Sequence, residues 1–340
     1  MKILSLRDAA FALDGKQSTT SPAWSLKESL KFGVFPAFAS KPLSLREVTN
    51  RYSASGAALR SLSQGTGNAW LQIDRQTIVD GIADRLRDPF IMRQQITSFC
   101  GPFAILVEWI RRDPVNFINS TKELLETGKF TCKTGRIIEA EDDLRKRPAQ
   151  PAIAQVEWLL AATIRDDENL TEDVNDGTDI EGLTMMGAMT GWTEDILNLT
   201  ATELGGVLSS SGEDEMMHLA EVTVKAGGVA FLFIDSNMIK PGPNDTEEEM
   251  YFQSFEHSPR SPEFSSSAKV HSKDDVWGLE LFIETLHWVS YLNGLNFGKP
   301  PESSDAVAIR LWSWGGEYVV TGTAEAFGEY LYGVVTGKPK

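Results

Sequence analysis

Cysteine is scarce in this chain: Cys100 and Cys132 are the only two in 340 residues. Two thiols cannot build the disulfide framework of a stapled extracellular module, so a reducing compartment is expected. Histidine is nearly as rare, with four. Neither Cys-x2-Cys nor His-x3-His spacing occurs, and the expectation is no metal site and no cofactor. Nowhere do about 18 uncharged apolar residues run together, which argues against a membrane span. No apolar stretch of signal-peptide length follows the two basic residues among the first seven. Synthesis in the cytoplasm is therefore expected, with export by a route that reads no cleaved signal left open. Positive charge is also in short supply, with 32 Lys and Arg against 48 Asp and Glu and a formal charge of −16. A phosphate backbone would be repelled by most of such a surface, so nucleic acid is not an expected partner. The acidic runs Asp166 to Glu168, Glu213 to Glu215 and Glu247 to Glu249 read as solvated faces, a basic protein partner being the other reading.

What is present is the composition of a packed protein, 41% hydrophobic and 24% charged, in a chain long enough for one large domain or two ordinary ones. Residues 1–68, rich in Ser, Thr, Ala and Gly, read as a weakly structured arm, and the compact domain is expected over 69–340. Leu71, Ile73, Ile78, Ile82 and Leu86 predict a helix ending near Asp88-Pro89. Phe103, Leu106, Val107 and Ile110 form the stripe of an amphipathic helix over Gly101 to Arg112, stopped by Asp113-Pro114. Ile153 to Ile164 repeats the pattern and Leu183 to Leu197 supplies another helix, making the first half mainly helical. Strand signals come later. Gly228 to Ile234 reads as a buried strand, and His287 to Leu292 and Ala306 to Trp312 as an antiparallel pair across a long loop. A last strand lies near Tyr318 to Thr321. The polar, proline-containing stretch at about 237–275 is too long for a plain connection and reads as a disordered insertion or a functional lid.

The segment from Arg93 to Ala104 concentrates the chemistry. Cys100 stands just before a helix, where the dipole and amide donors favour a thiolate. Gly101 leaves room for a substrate backbone, and Pro102 costs nothing in a first turn. Gln94, six residues earlier, can return across the loop to form an oxyanion hole with the Cys100 amide. Cys132, without glycine or helix support, reads as structural.

Gln-x5-Cys-Gly-Pro-x-Ala opening a helix, followed far downstream by His-Trp-Val on a strand, resembles bacterial members of the papain-like cysteine peptidase superfamily; a related pattern occurs in peptidase domains that trim bacteriocin leaders. The resemblance implies an attacking Cys on a helix, a His base on a strand, a Gln at the oxyanion hole, and an Asn or Asp that orients the His. Of the four histidines, His257 and His271 fall in the polar insertion and His218 follows an acidic, Met-rich turn. His287 opens an apolar strand that can hold an imidazole rigidly and is the chosen base. Where papain-like enzymes place Asn-Ser-Trp-Gly, this chain has Trp312-Ser313-Trp314-Gly315. Asp305 is chemically suitable as the orienting group, but strand pairing puts it roughly 20 Å along from His287. The same count brings Ser313 near His287, with Trp312 or Trp314 shielding the pair. The expected fold is thus α+β and papain-like, a helical half with Cys100 and a twisted antiparallel sheet with His287, the site lying in the cleft between them. The expected function is amide hydrolysis through a thioester on a protein or peptide substrate. Deamidation, transglutamination and acyl transfer use the same constellation, and a catalytically silent papain-like interaction protein is the alternative from another class. An exported effector or toxin is suggested by analogy alone.

Overall fold

The computed structural model describes residues 45–94, 99–168, 184–206, 213–239, 253–258, 261–265, 286–295 and 306–340. The fold is α+β. Among the described residues there are eight α-helices and antiparallel sheets, and no helix is long and apolar enough to cross a membrane. The described residues fall into two compact units, a helical one within Pro42–Ala201 joined by Pro339–Lys340, and a sheet one within Thr202–Lys338. The single domain expected over 69–340 is therefore divided at residue 201, where the helical core ends and the strand-built core begins.

In the helical unit, α1 (Leu45–Ser63) lies inside the stretch expected to be a weakly structured arm. Its buried face is Ser55, Ala58 and Leu62, at i, i+3 and i+7. Two of these three are small, which is why hydropathy alone hides the periodicity. In α2 (Arg75–Arg87), the Asp74 side chain caps the start, accepting from the Thr77 amide at 2.7 Å, and Asp88 ends it. In α3 (Cys100–Arg112), every residue from Cys100 to Ile110 is buried, so the helix is central and has no polar stripe. The expected amphipathic face is overridden because Gly101 and Ala104 are small and buried Glu108 is ion-paired with Arg111 and Arg112. Asp113 both ends α3 and caps α4 (Pro114–Thr127), accepting from the Asn116 amide, with Pro114 in the first turn. The Asp113-Pro114 pair, expected to be a stop, is therefore also a start. A small hairpin, β1 (Lys129–Thr131) and β2 (Ile137–Glu139), precedes α5 (Gln155–Glu168) and α6 (Met186–Asp195). Asp167 and Glu168, expected on a solvated face, close on Arg136 at 2.7 and 2.9 Å, and Asp166 accepts from the Glu141 amide.

In the sheet unit the elements are β3 (Leu199–Gly205), which begins at the end of the helical unit, α7 (Glu213–Lys225), β4 (Val229–Asp235), β5 (Gln253–Ser258), β6 (Ser261–Ser265), β7 (Leu286–Leu295), β8 (Ala306–Ser313), β9 (Gly316–Thr323), α8 (Ala324–Tyr330) and β10 (Leu331–Pro339). The eight strands run in the order β3-β10-β4-β7-β8-β9-β5-β6. Ala230, Leu232 and Ile234 of β4 oppose Tyr291, Val289 and His287 of β7, so these share one sheet face. That face packs with α7 and α8 into a core containing Met216, Ala220, Phe327 and Tyr330. The acidic Met-rich segment expected to be a turn is thus helix α7. The polar insertion is corrected as well. Part of it, β5 and β6, is a hairpin that extends the sheet beyond β9. Polar strands at a sheet edge need no apolar run, so no hydrophobic signal announces them.

Candidate functional site

The surroundings of His287 are built by one hairpin. His287 lies in β7, opposite Ile234. The β7–β8 register sets Trp312 opposite Ser290 and Leu311 opposite Tyr291. Ser313 therefore falls diagonally across from His287 on the shared face, where side chains of this separation meet. Its Oγ is 2.6 Å from His287 Nε2, and both residues are buried. Asp305, the rival orienting residue, lies outside the described residues.

Beyond Ser313 the chain turns back in two residues, Trp314 and Gly315, and resumes pairing at Gly316. Both turn residues have positive φ, 46° and 84°, the geometry of the tight turn that matches strand twist. Glycine adopts that conformation freely; a tryptophan does so at a cost of roughly 1 to 3 kcal/mol, a strain that accumulates at functional positions. The strained residue sends its indole over His287, with ring centroids 4.4 Å apart and planes inclined by 18°. Tyr318 meets the same indole edge-on at 6.2 Å. An aromatic face at that distance favours a cationic imidazole. Of the two tryptophans expected to shield the histidine, it is Trp314 that stacks on it.

Strand β7 is anchored just beyond. Its pairing shifts register between Tyr291 and Asn293. Here the fully buried Glu221 of α7 accepts from Tyr291 Oη at 2.5 Å and from the Gly294 amide at 3.0 Å, and Lys225 pairs with its other oxygen at 2.7 Å. Burial, with the Glu221 charge and hydrogen bond, pushes the Tyr291 hydroxyl well above its ordinary value. This network sets the strand and has no part in the expected chemistry.

The candidate thiol belongs to the helical unit. Cys100 is the first residue of α3, and Phe99, in the N-cap position, supplies no side-chain acceptor. Gln94 is buried at 2% exposure, and the intervening residues 95–98 lie outside the described ones. Phe99 packs edge-on against Trp158 of α5, ring centroids 5.8 Å apart. The role of Gly101 differs from the one expected. A Cβ there would fall 2.6 Å from both Cγ2 and Oγ1 of the fully buried Thr184, so the glycine admits a neighbouring side chain and not a substrate backbone.

Sequence reasoning missed Arg165. This residue of α5 is 6% exposed, and its Nη1 donates to Thr184 Oγ1 at 3.1 Å. Burial pulls its guanidinium below the ordinary arginine value, while electrostatic interaction with Cys100 and Glu168 works the other way. Sixty-odd residues separate it from Cys100 in the chain, and an arginine in a helix full of apolar residues carries no motif. Cys132, in the turn of the β1–β2 hairpin, is a buried thiol pushed up to about 12 by burial and by the charge of Asp195, with further contributions from Asp167 and Glu123 against Arg136. That is the surrounding of a structural cysteine. Among the described residues no group of three or more His, Cys, Asp or Glu could hold a metal ion. No family model, curated protein or solved structure matches this chain.

Proposed function

We propose that the protein is a papain-like cysteine-nucleophile amide hydrolase, first of all a peptidase, in which Cys100 attacks and His287 is its base. The observation that carries the reading is the Ser313 hydroxyl 2.6 Å from His287 Nε2 beneath the stacked Trp314. A buried imidazole fixed at one nitrogen and covered on one face is an arrangement for proton transfer at the other nitrogen. With Nε2–H donating to Ser313, Nδ1 holds the lone pair.

His287 Nδ1 takes the Cys100 proton, the thiolate adds to the acyl carbon, and the resulting oxyanion is held by the Gln94 side-chain amide and the Cys100 backbone amide. Collapse breaks the C–N bond as His287 Nδ1–H protonates the departing amine. Water then attacks the thioester and gives a proton to His287 Nδ1; the C–S bond breaks, and the departing sulfur retakes that proton to close the cycle. An amine in place of water would give transamidation, and a side-chain amide as substrate would give deamidation; product analysis separates these from peptide cleavage.

Two measurements test the reading. Incubation with a slowly deacylating p-nitrophenyl ester, followed by intact and peptide mass analysis, is expected to find the acyl group on Cys100. A short bis-electrophile that reacts with thiols and imidazoles is expected to join Cys100 to His287. Acylation only at Cys132, or no acyl adduct, would sink the nucleophile assignment, and failure of the bridge with Cys100 singly alkylated would sink the pairing.

A further inference from the structure

We propose that Arg165 is a positioning residue for the thiol: its guanidinium, braced on Thr184 behind Gly101, supplies a buried positive charge that stabilises the Cys100 thiolate, so the anion does not depend on His287 alone. This rests on the reading of Cys100 as a nucleophile and deepens it by naming what prepares the sulfur.

The geometry is a short chain of contacts. Arg165 Nη1 donates to Thr184 Oγ1 at 3.1 Å, and Thr184 fills the space a side chain on residue 101 would need, approaching within 2.6 Å of where its Cβ would stand. The guanidinium is thus tied to the residue next to Cys100, and any side chain larger than hydrogen at position 101 would displace the tie. All the residues involved are buried, Cys100 at 6%, Thr184 at 0% and Arg165 at 6% exposure. A guanidinium removed from water needs negative charge nearby, and in such surroundings a charge pair interacts more strongly than at the surface.

The charged neighbours point the same way. Cys100 on α3 and Glu168 of α5 both oppose the effect of burial on the Arg165 guanidinium. Glu168 and Asp167 are engaged by Arg136, and Asp166 by the Glu141 amide. Elsewhere on the packed helices, Arg85 of α2 pairs with Glu157 at 2.6 Å, and Glu108 lies two turns along α3 with Arg111 and Arg112. An arginine stays charged at every accessible pH, unlike a histidine, so its contribution persists when His287 is neutral.

The test is the pH dependence of iodoacetamide alkylation at Cys100, in a Cys132→Ala background so that one thiol reports. With Arg165 present the inflection is expected well below the free-thiol value near 8.5. Arg165→Met is expected to raise it by about one to two pH units and to slow alkylation at pH 6 about 10- to 100-fold. Arg165→Lys, which keeps the charge, should restore most of that shift, and Thr184→Val, which removes the brace, should raise the inflection by a smaller amount. If Arg165→Met does not fold, the Lys and Val variants carry the test. An unchanged inflection in folded Arg165→Met or in Thr184→Val, or a Lys variant that behaves like Met, would overturn the proposal. Acylation of Cys100 with a profile indifferent to Arg165 would remove this inference and keep the hydrolase; a profile that moves with Arg165 but no acyl adduct would do the reverse.

Discussion

Cys100 and Cys132 are both buried, both outside any disulfide and both in the helical unit, yet their neighbours carry opposite charge. Cys132 sits in a hairpin turn with Asp195, Asp167 and Glu123 acting on it, and only Arg136, itself held by Asp195, Asp167 and Glu168, acting the other way. Cys100 starts a helix and interacts electrostatically with Arg165. Burial penalises an anion at either place. What distinguishes the two is whether backbone dipoles and side chains oppose that penalty or add to it, and reactivity is a property of those surroundings more than of the sulfur.

The hardest way to press the comparison is to remove each thiol in turn. Cys100→Ala is expected to abolish amide turnover and neutral-pH alkylation with the fold intact, while Cys132→Ala leaves both in place; labelling retained at Cys132 in the first variant would reverse the assignment. Gln94→Ala should separate making a thiolate from using one. Turnover is expected to fall by about 10² to 10³ while alkylation of Cys100 survives, since alkylation builds no oxyanion. Equal losses in both assays would point to damage in the fold.

Ser313→Ala should cost less, about tenfold in kcat, because a neutral hydroxyl orients an imidazole but stabilises its cation far less than a carboxylate does. A loss comparable to that of His287→Ala would show the hydroxyl doing more than orienting. The smallest effect concerns Cys132 and alkali. Its folded value, about 12, lies above the ordinary thiol value of 9.0, so the unfolded chain releases this proton first as pH rises. The stabilisation is full below about pH 9 and is lost progressively between there and about pH 12. Tyr291 and Tyr332 are also pushed up, mainly by burial, but from a tyrosine value of 10.0. Denaturant melts of Cys132→Ser are therefore expected to show a flatter pH dependence than the parent beginning near pH 9; parallel curves would contradict the buried-thiol account.

How much of this was legible in the sequence depended on apolar contrast. Helices α2, α3 and α5 and strands β4, β7, β8 and β9 follow apolar periodicity or apolar runs, and the Ser313–His287 contact follows from pairing two such runs across a loop. Several of the missed elements rely on other physics, though β10 is an apolar run like those that were read. Helix α1 buries small residues, α4 begins at a proline expected to end a helix, and β5 with β6 is a polar edge hairpin. Within the site, Gly101 was given a substrate-facing role because a missing side chain is visible in a sequence and the neighbour that needs the space is not. Thr184 and Arg165 reach the Cys100 turn through tertiary packing, which leaves no spacing to read. Trp314 was named as a shield, but the left-handed backbone that lets it stack is a property of the Trp-Gly turn between two strands whose register had first to be known.

One feature of the sheet bears on how the molecule is made. Strand β10 lies between β3 and β4, although β3 and β4 are the first strands of their sheet to be synthesised. At about 5 to 20 residues per second, several seconds of translation separate β4 from the strand that will flank it. During that interval β4 has an unfilled edge whose side chains, Val229 to Asp235, are all destined for burial. An edge of that kind recruits other strands. The helical unit has no such wait, since almost all of it precedes residue 202. On the ribosome, then, the half that bears the thiol can close while the half that bears the imidazole still awaits residues 331–339, and the vulnerable species in biogenesis is a chain paused between the two.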